Sequence, residues 1–194
     1  MRKGRVVAFA LVFALAMTPS AAFGYRLLGH RLKYGVGDCG ASTQYYYIDS
    51  SAWAFAPTCE SAMSDWVHTT SRLGITTPIS YKRTTVKSSS RMDIYSKSYV
   101  FPSGVLAGTQ FFNGSTLADP SGTDWVWGKI AFDQPYYSQL SNFNMKGTAS
   151  HEMGHVMGLN ENNSNIYAVM CQLGCGRVVC NAQKDDLAGI NYLY

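Results

Sequence analysis

The chain has 194 residues, 46% of them hydrophobic and 14% charged, which is the balance of one packed domain rather than of a disordered chain, a repeat array or a collagen-like rod. Its formal charge of +4 falls to +1 once Arg2, Lys3 and Arg5 are set apart. No Lys/Arg stripe runs through the remainder, so nucleic acid is excluded as a partner.

Those three basic residues precede an uncharged apolar run over 6–17, and the small residues Ala21, Ala22 and Gly24 follow. This order reads as a cleavable secretion signal over 1–24, cut after Ala22 or Gly24, with a single domain over 25–194. An uncleaved anchor is the competing reading, but the run is short for a bilayer crossing. No later stretch suits a span. A secreted, extracellular protein without stable membrane association is expected, with a monomer as the default.

Residues 43–48 (TQYYYI) are aromatic and β-prone, which predicts a strand. Met63, Trp66, Val67 and Leu73 recur at helical spacing and predict a first helix over 59–73. Short β-type runs follow at 91–100 and 104–112, then a turn-rich stretch over 113–124 that contains Asp119-Pro120-Ser121-Gly122. Residues 125–132 (WVWGKIAF) read as another strand, and further helices are predicted over 144–158 and 182–193. Strands mixed with three main helices give an α+β domain.

Five cysteines, Cys39, Cys59, Cys171, Cys175 and Cys180, lie in the exported part and are expected to oxidise there. Cys39 with Cys59 is the expected N-terminal bridge, two of the last three close a C-terminal loop, and one thiol is left over. A zinc knuckle from Cys171, Cys175 and Cys180 is disfavoured, because it has three thiolates at unusual spacing and no nearby histidine.

The chemistry is concentrated in His151-Glu152-Met153-Gly154-His155-Val156-Met157-Gly158-Leu159-Asn160-Glu161. Four residues apart on a helix, His151 and His155 project from one face and can bind one zinc ion, with Glu152 beside them to take a proton from an attacking water. Catalytic zinc needs a further protein ligand and an open position. Gly158 can adopt a left-handed conformation that ends the helix and returns the chain toward the metal. No histidine follows His155, and the acidic residues beyond it are Glu161, Asp185 and Asp186. Glu161 is favoured because a returning chain arrives there.

This segment resembles the metzincin clan of zinc peptidases, most nearly the matrixin-like group of matrix metalloproteinase catalytic domains. In that pattern the third-ligand slot, usually a histidine, falls on Glu161. Ala168-Val169-Met170 is similar to the clan's Met-turn, and residues 184–194 are similar to the helix that closes matrixin catalytic domains. The resemblance is specific over roughly the last fifty residues and architectural before them.

What the resemblance implies is a metallopeptidase catalytic domain over 25–194. Its fold would be a twisted mixed sheet with an active-site helix and Met170 in the floor beneath the metal. One catalytic Zn²⁺ would be held by His151, His155 and Glu161, with Glu152 as general base, and the substrate would be a protein or peptide. It also implies that Asp185 and Asp186 start the terminal helix. The chain departs from vertebrate matrixins in three ways. Glutamate occupies the third slot, His30 and His68 are too few for a second, structural zinc site, and Gly37-Asp38-Cys39-Gly40 only faintly matches a cysteine switch.

Two rivals remain open. One is a zincin of another clan that takes Asp185 or Asp186 as third ligand. The other is a catalytically inactive secreted binding protein on the same fold, which would have no need for Glu152. The strand over 125–132 is a candidate to pair with an extended substrate by edge addition, the alternative being that its aromatics are buried core. Asp119 and Asp124 are candidates for Ca²⁺, the alternative being solvated turn residues. Asn113-Gly114-Ser115 and Asn162-Asn163-Ser164 fit the N-glycosylation pattern.

Overall fold

Tyr46 and Ile48 point inward and Tyr45 outward along β1 (Gln44–Ile48), the alternation that the TQYYYI run predicts. The computed structural model describes residues 24–173 and 176–194. The expected signal, apart from Gly24, and Cys175 therefore lie outside the described residues. Beside β1 lie β2 (Tyr81–Thr84) and β3 (Met92–Lys97), both parallel to it. Next to β3 comes β6 (Trp127–Asp133), also parallel, and then β4 (Ala107–Asn113) antiparallel to β6. A two-residue β5 (Thr116–Leu117) pairs only with the end of β4. The result is one mixed six-stranded sheet in the order β2-β1-β3-β6-β4-β5.

Five α-helices complete this α+β fold among the described residues. The predicted first helix is two: α1 (Ala56–Val67) and α2 (Thr69–Leu73) meet at His68, whose φ of −97° and ψ of 45° interrupt the helical path. Pro57 starts α1, and Gly74, with a φ of 69°, ends α2. Cys59, Ala62, Met63 and Trp66 form the buried stripe of α1. A single-turn α3 (Gln134–Tyr137) stacks Tyr137 on Phe132 of β6.

Helix α4 (Asn142–Val156) begins two residues before the predicted start, because Ser141 accepts a hydrogen bond from Asn144 N and caps it. From Gly147 onward it is buried nearly all round, since α1 packs against it and the sheet lies on another side. Gly128 lets α4 approach β6: a Cβ there would lie 2.7 Å from Val156 Cγ2. Two indoles fix the helix in place. Trp66 Nε1 donates to Ser150 O (3.1 Å) and Trp125 Nε1 to Val156 O (2.9 Å). The closing helix α5 (Lys184–Leu193) starts with a reciprocal capping box between Gln183 and Asp186.

The expected Cys39–Cys59 bridge is not formed. Cys59 faces the core from α1, and burial pushes its thiol up to about 12, whereas Cys39 sits exposed on a left-handed turn and donates to Thr77 O. Cys171 and Cys180 are not bridged to each other among the described residues, which exclude Cys175. The edge expectation for 125–132 is also corrected. β6 is interior, paired with β3 on one side and β4 on the other, so its backbone groups are already spent. Among the described residues, no helix is long and apolar enough to cross a membrane.

Candidate metal centre and catalytic cleft

Helix α4 carries His151 and His155 one turn apart, and their Nε2 atoms lie 3.1 Å from each other. The chain then reverses. Gly158, at a φ of 104°, donates to His155 O, and Leu159 N donates to Gly154 O, a helix end that a side chain at 158 would strain. Leu159 pairs with Leu27, and Asn160 N donates to Arg26 O, so the N-terminal segment holds the returning strand. Glu161 follows, with Oε1 3.3 Å from both imidazole Nε2 atoms. Among the described residues, these three form the one group of His, Cys, Asp or Glu side chains whose ligand atoms converge closely enough to hold a metal ion.

The ring orientations are set from behind. His151 Nδ1 donates to Val169 O (3.0 Å) and His155 Nδ1 to Leu159 O (2.8 Å). A carbonyl can only accept, so each Nδ1 carries a proton, and in the neutral rings both Nε2 lone pairs face inward. Two lone pairs and a carboxylate pointed at one spot repel unless a cation or protons lie between them. Glu161 Oε2 is buried without a hydrogen-bond partner, which adds a second unsatisfied acceptor there. Burial acts to raise the Glu161 pKa, but in the metal-free protein the hydrogen bonds and positive charge that protonated His151 and His155 offer prevail and hold it at about 2. Burial acts to lower that of His155, yet the hydrogen bond to Glu161 and the charges of Glu152 and Glu161 raise it overall.

Glu152 faces a cleft of about 590 Å³ lined by the two histidines, Glu161 and the β4 side of the sheet. Thr109 Oγ1 donates to Glu152 Oε2 at 2.7 Å and so fixes the carboxylate. Leu106 O, just before β4, accepts from Asp133 N on the β6 side, while Phe111 O within β4 accepts from Ala118 N on the other. By alternation, the backbone groups of Ala107 and Thr109 point outward, beyond the reach of β5, whose pairing begins at Phe112. The free strand edge at the cleft therefore belongs to β4.

Met170 lies beneath α4, where Gly154 leaves room for its sulfur. Asp186 holds the turn above it, accepting from Val169 N (3.0 Å) and Met170 N (3.3 Å) as well as from Gln183 N (2.8 Å). Asp185 accepts from Asn162 Nδ2. Both aspartates thus serve the turn and the start of α5, and neither joins the metal cluster, which sets aside the reading that made one of them the third ligand.

Asn162 is 2% exposed with its amide committed to Asp185, so that sequon is not an acceptor in the folded chain, whereas Asn113 is exposed. Asp119 accepts from Ser121 within its own turn, and Asp124 accepts from Arg31 N and so ties down the N-terminal segment; the two do not join a metal-binding group among the described residues. His30 pairs with Asp124 and His68 with Ser64, both away from the centre.

Sequence reasoning missed Thr109 and Arg177. Nothing local marks Thr109 within its strand. Arg177 did carry a signal: it is the only charged residue between Glu161 and Lys184. Compared with known proteins, the chain matches no family model and no curated protein.

Proposed function

We propose that the protein is a secreted zinc-dependent endopeptidase of metzincin type. The observation that carries the reading is the convergence of two inward Nε2 lone pairs and one carboxylate oxygen beside Glu152, at a free strand edge.

The donor set fits zinc. A tetrahedral ion with bonds of about 2.0–2.1 Å has ligand-to-ligand edges of about 3.3–3.4 Å. The three edges among His151, His155 and Glu161 are 3.1, 3.3 and 3.3 Å. Two imidazoles and a carboxylate are a known catalytic ligand set, and the Val169 and Leu159 carbonyls supply the outer hydrogen bonds that such histidines need. When bound, zinc makes water easier to deprotonate and polarises the scissile carbonyl.

The chain's own residues do the rest. An extended peptide pairs with the outward backbone groups of Ala107 and Thr109, which holds its scissile bond over the histidines. Glu152, oriented by Thr109, takes one proton from the attacking water as oxygen bonds to the carbonyl carbon. The carbon–nitrogen bond then breaks, and Glu152 returns the proton to the leaving amine. Met170 packs under the helix and leaves the ion untouched.

The rival of an inactive binding protein gives no reason for a carboxylate at 152 held toward the cleft by a threonine. Metal analysis joined to a chelator-sensitive cleavage assay tests the proposal. Glu152→Ala is expected to keep zinc and to lose cleavage by at least about a hundredfold. Full cleavage in that variant removes Glu152 as the base, and absence of zinc from the wild type removes the proposal.

A further inference from the structure

Arg177 is the only lysine or arginine lining the cleft among the described residues. Its guanidinium makes one hydrogen bond there, from Nη1 to Val169 O at 3.0 Å, the same carbonyl that accepts from His151. That shared acceptor sets the guanidinium beside the metal centre. No carboxylate among the described residues pairs with it. Its Nε is buried and without a partner.

The position is built into the fold. The Arg177 stem crosses α4 where Gly147 has no side chain, and a Cβ at 147 would lie 2.6 Å from Arg177 Cδ. The next residue along the helix, Thr148, lines the same cleft, and its Oγ1 is also buried without a partner. A guanidinium nitrogen and a hydroxyl buried without partners, on two residues that line one cleft, are costly unless a ligand entering beside them completes them. Burial draws the Arg177 pKa down, while Glu152, Cys171, Glu161 and Asp186 push it back up. A divalent ion at the histidines would balance the charges of Glu152 and Glu161, leaving the guanidinium with Asp186 as the remaining carboxylate that acts on it and with none in contact among the described residues.

We propose that Arg177 and Thr148 form a carboxylate-binding subsite, so that the enzyme selects peptides carrying a negative charge close to the scissile bond. The assignment rests on the peptidase reading above. Guanidinium and hydroxyl donors match the two oxygens of a carboxylate, and a neutral side chain would leave the guanidinium desolvated and unpaired. The carboxylate comes from an Asp or Glu side chain or from the end of the peptide.

The test is a matched peptide series with Asp, Glu, Asn, Gln, Leu or Lys at each position flanking the bond, each made with a free and an amidated C-terminus. The wild type is expected to cleave Asp or Glu peptides with kcat/KM about 10- to 100-fold above their amide twins. In Arg177→Gln that ratio should fall to about one, and in Arg177→Lys most of it should remain. Thr148→Val should lower it severalfold and serves if Arg177→Gln does not fold. A preference that follows the free terminus assigns the subsite to the chain end, while one that follows the side chain assigns it to Asp or Glu. Equal cleavage of acidic and neutral peptides by the wild type, or an unchanged ratio in Arg177→Gln, overturns the subsite.

If no peptide is cleaved, the peptidase reading fails separately. Binding of the acidic peptide and its amide twin to the zinc-loaded Glu152→Ala protein then decides the subsite. A preference for the acid that vanishes in the Glu152→Ala, Arg177→Gln double variant sustains it. Equal binding overturns it.

Discussion

Removing Glu161, the proposed third ligand, gives the sharpest test of the proposed metal centre. Zinc binding in small structural sites is worth about 10–16 kcal/mol over four ligands, so one ligand carries about 3 kcal/mol, or roughly two decades of affinity. Glu161 Oε1 already stands 3.3 Å from each imidazole, so no rearrangement is spent on bringing it in and its whole share is lost on deletion. Glu161→Ala is therefore expected to bind zinc about a hundredfold more weakly, read by competition against a chromogenic chelator. The metal-free variant should stay folded. Its ionic contacts with the histidines go, but so does the buried Oε2 that lacked a partner, and these effects oppose each other. Thermal melting should then show near-equal metal-free stability and a zinc-induced gain about 3 kcal/mol smaller than in the wild type. A zinc affinity within threefold of wild type, measured where His155→Ala abolishes binding, would refute the assignment of Glu161.

The pH dependence has a definite sign. His155 is raised above 6.5, so its contribution to the metal-free fold is complete below 6.5 and is lost as pH climbs through the raised value. Glu161 is lowered from 4.5 to about 2, so its contribution is complete above 4.5 and is lost as pH drops toward 2. The cluster thus favours the metal-free protein most between 4.5 and 6.5, whereas zinc needs neutral rings. The zinc-induced rise in melting temperature should be small at about pH 5.5 and grow toward about pH 7.5; a flat or opposite trend contradicts the ligand set. Gly154→Ala should cost about 1–3 kcal/mol, because the added methyl meets the Met170 sulfur under the helix. Calorimetry showing an unchanged melting temperature would mean that Met170 is not packed there.

What could be read in advance was what local geometry determines. His151 and His155 share a face because a four-residue step only slightly exceeds one helical turn, and Gly158 turns the chain because a left-handed φ suits glycine. Strand β1 and helices α4 and α5 were legible for the same reason, each from its own pattern. The sheet order was not. WVWGKIAF has the look of any strand, and only pairing across distant sequence makes β6 interior and leaves β4 with the open edge. The cysteines failed likewise: spacing cannot reveal that Cys59 faces the core while Cys39 stays outside. Thr109 reaches Glu152 across 43 positions of sequence, a separation that no short motif records.

Glu161 suits the proposed role of third ligand because its backbone is held on both sides. Glutamate has one more rotatable side-chain bond than histidine, and fixing a long side chain costs up to about 1.5–2 kcal/mol of entropy. Here Asn160 N donates to Arg26 O (2.9 Å) and Asn162 N to Met170 O (2.8 Å), so the residues flanking Glu161 are tied to two separate segments. Asn162 Nδ2 also donates to Asp185, whose neighbour Asp186 accepts from Val169 and Met170. The turn after α4, the Met170 turn and the first turn of α5 thereby close a ring of hydrogen bonds around the ligand. Asn162→Ala, which touches no ligand atom, should weaken zinc about 10- to 100-fold, as loss of an outer support does. The metal-free protein should remain folded by circular dichroism. An unchanged zinc affinity in that folded variant would mean that Glu161 is held by its own rotamer and not by the ring.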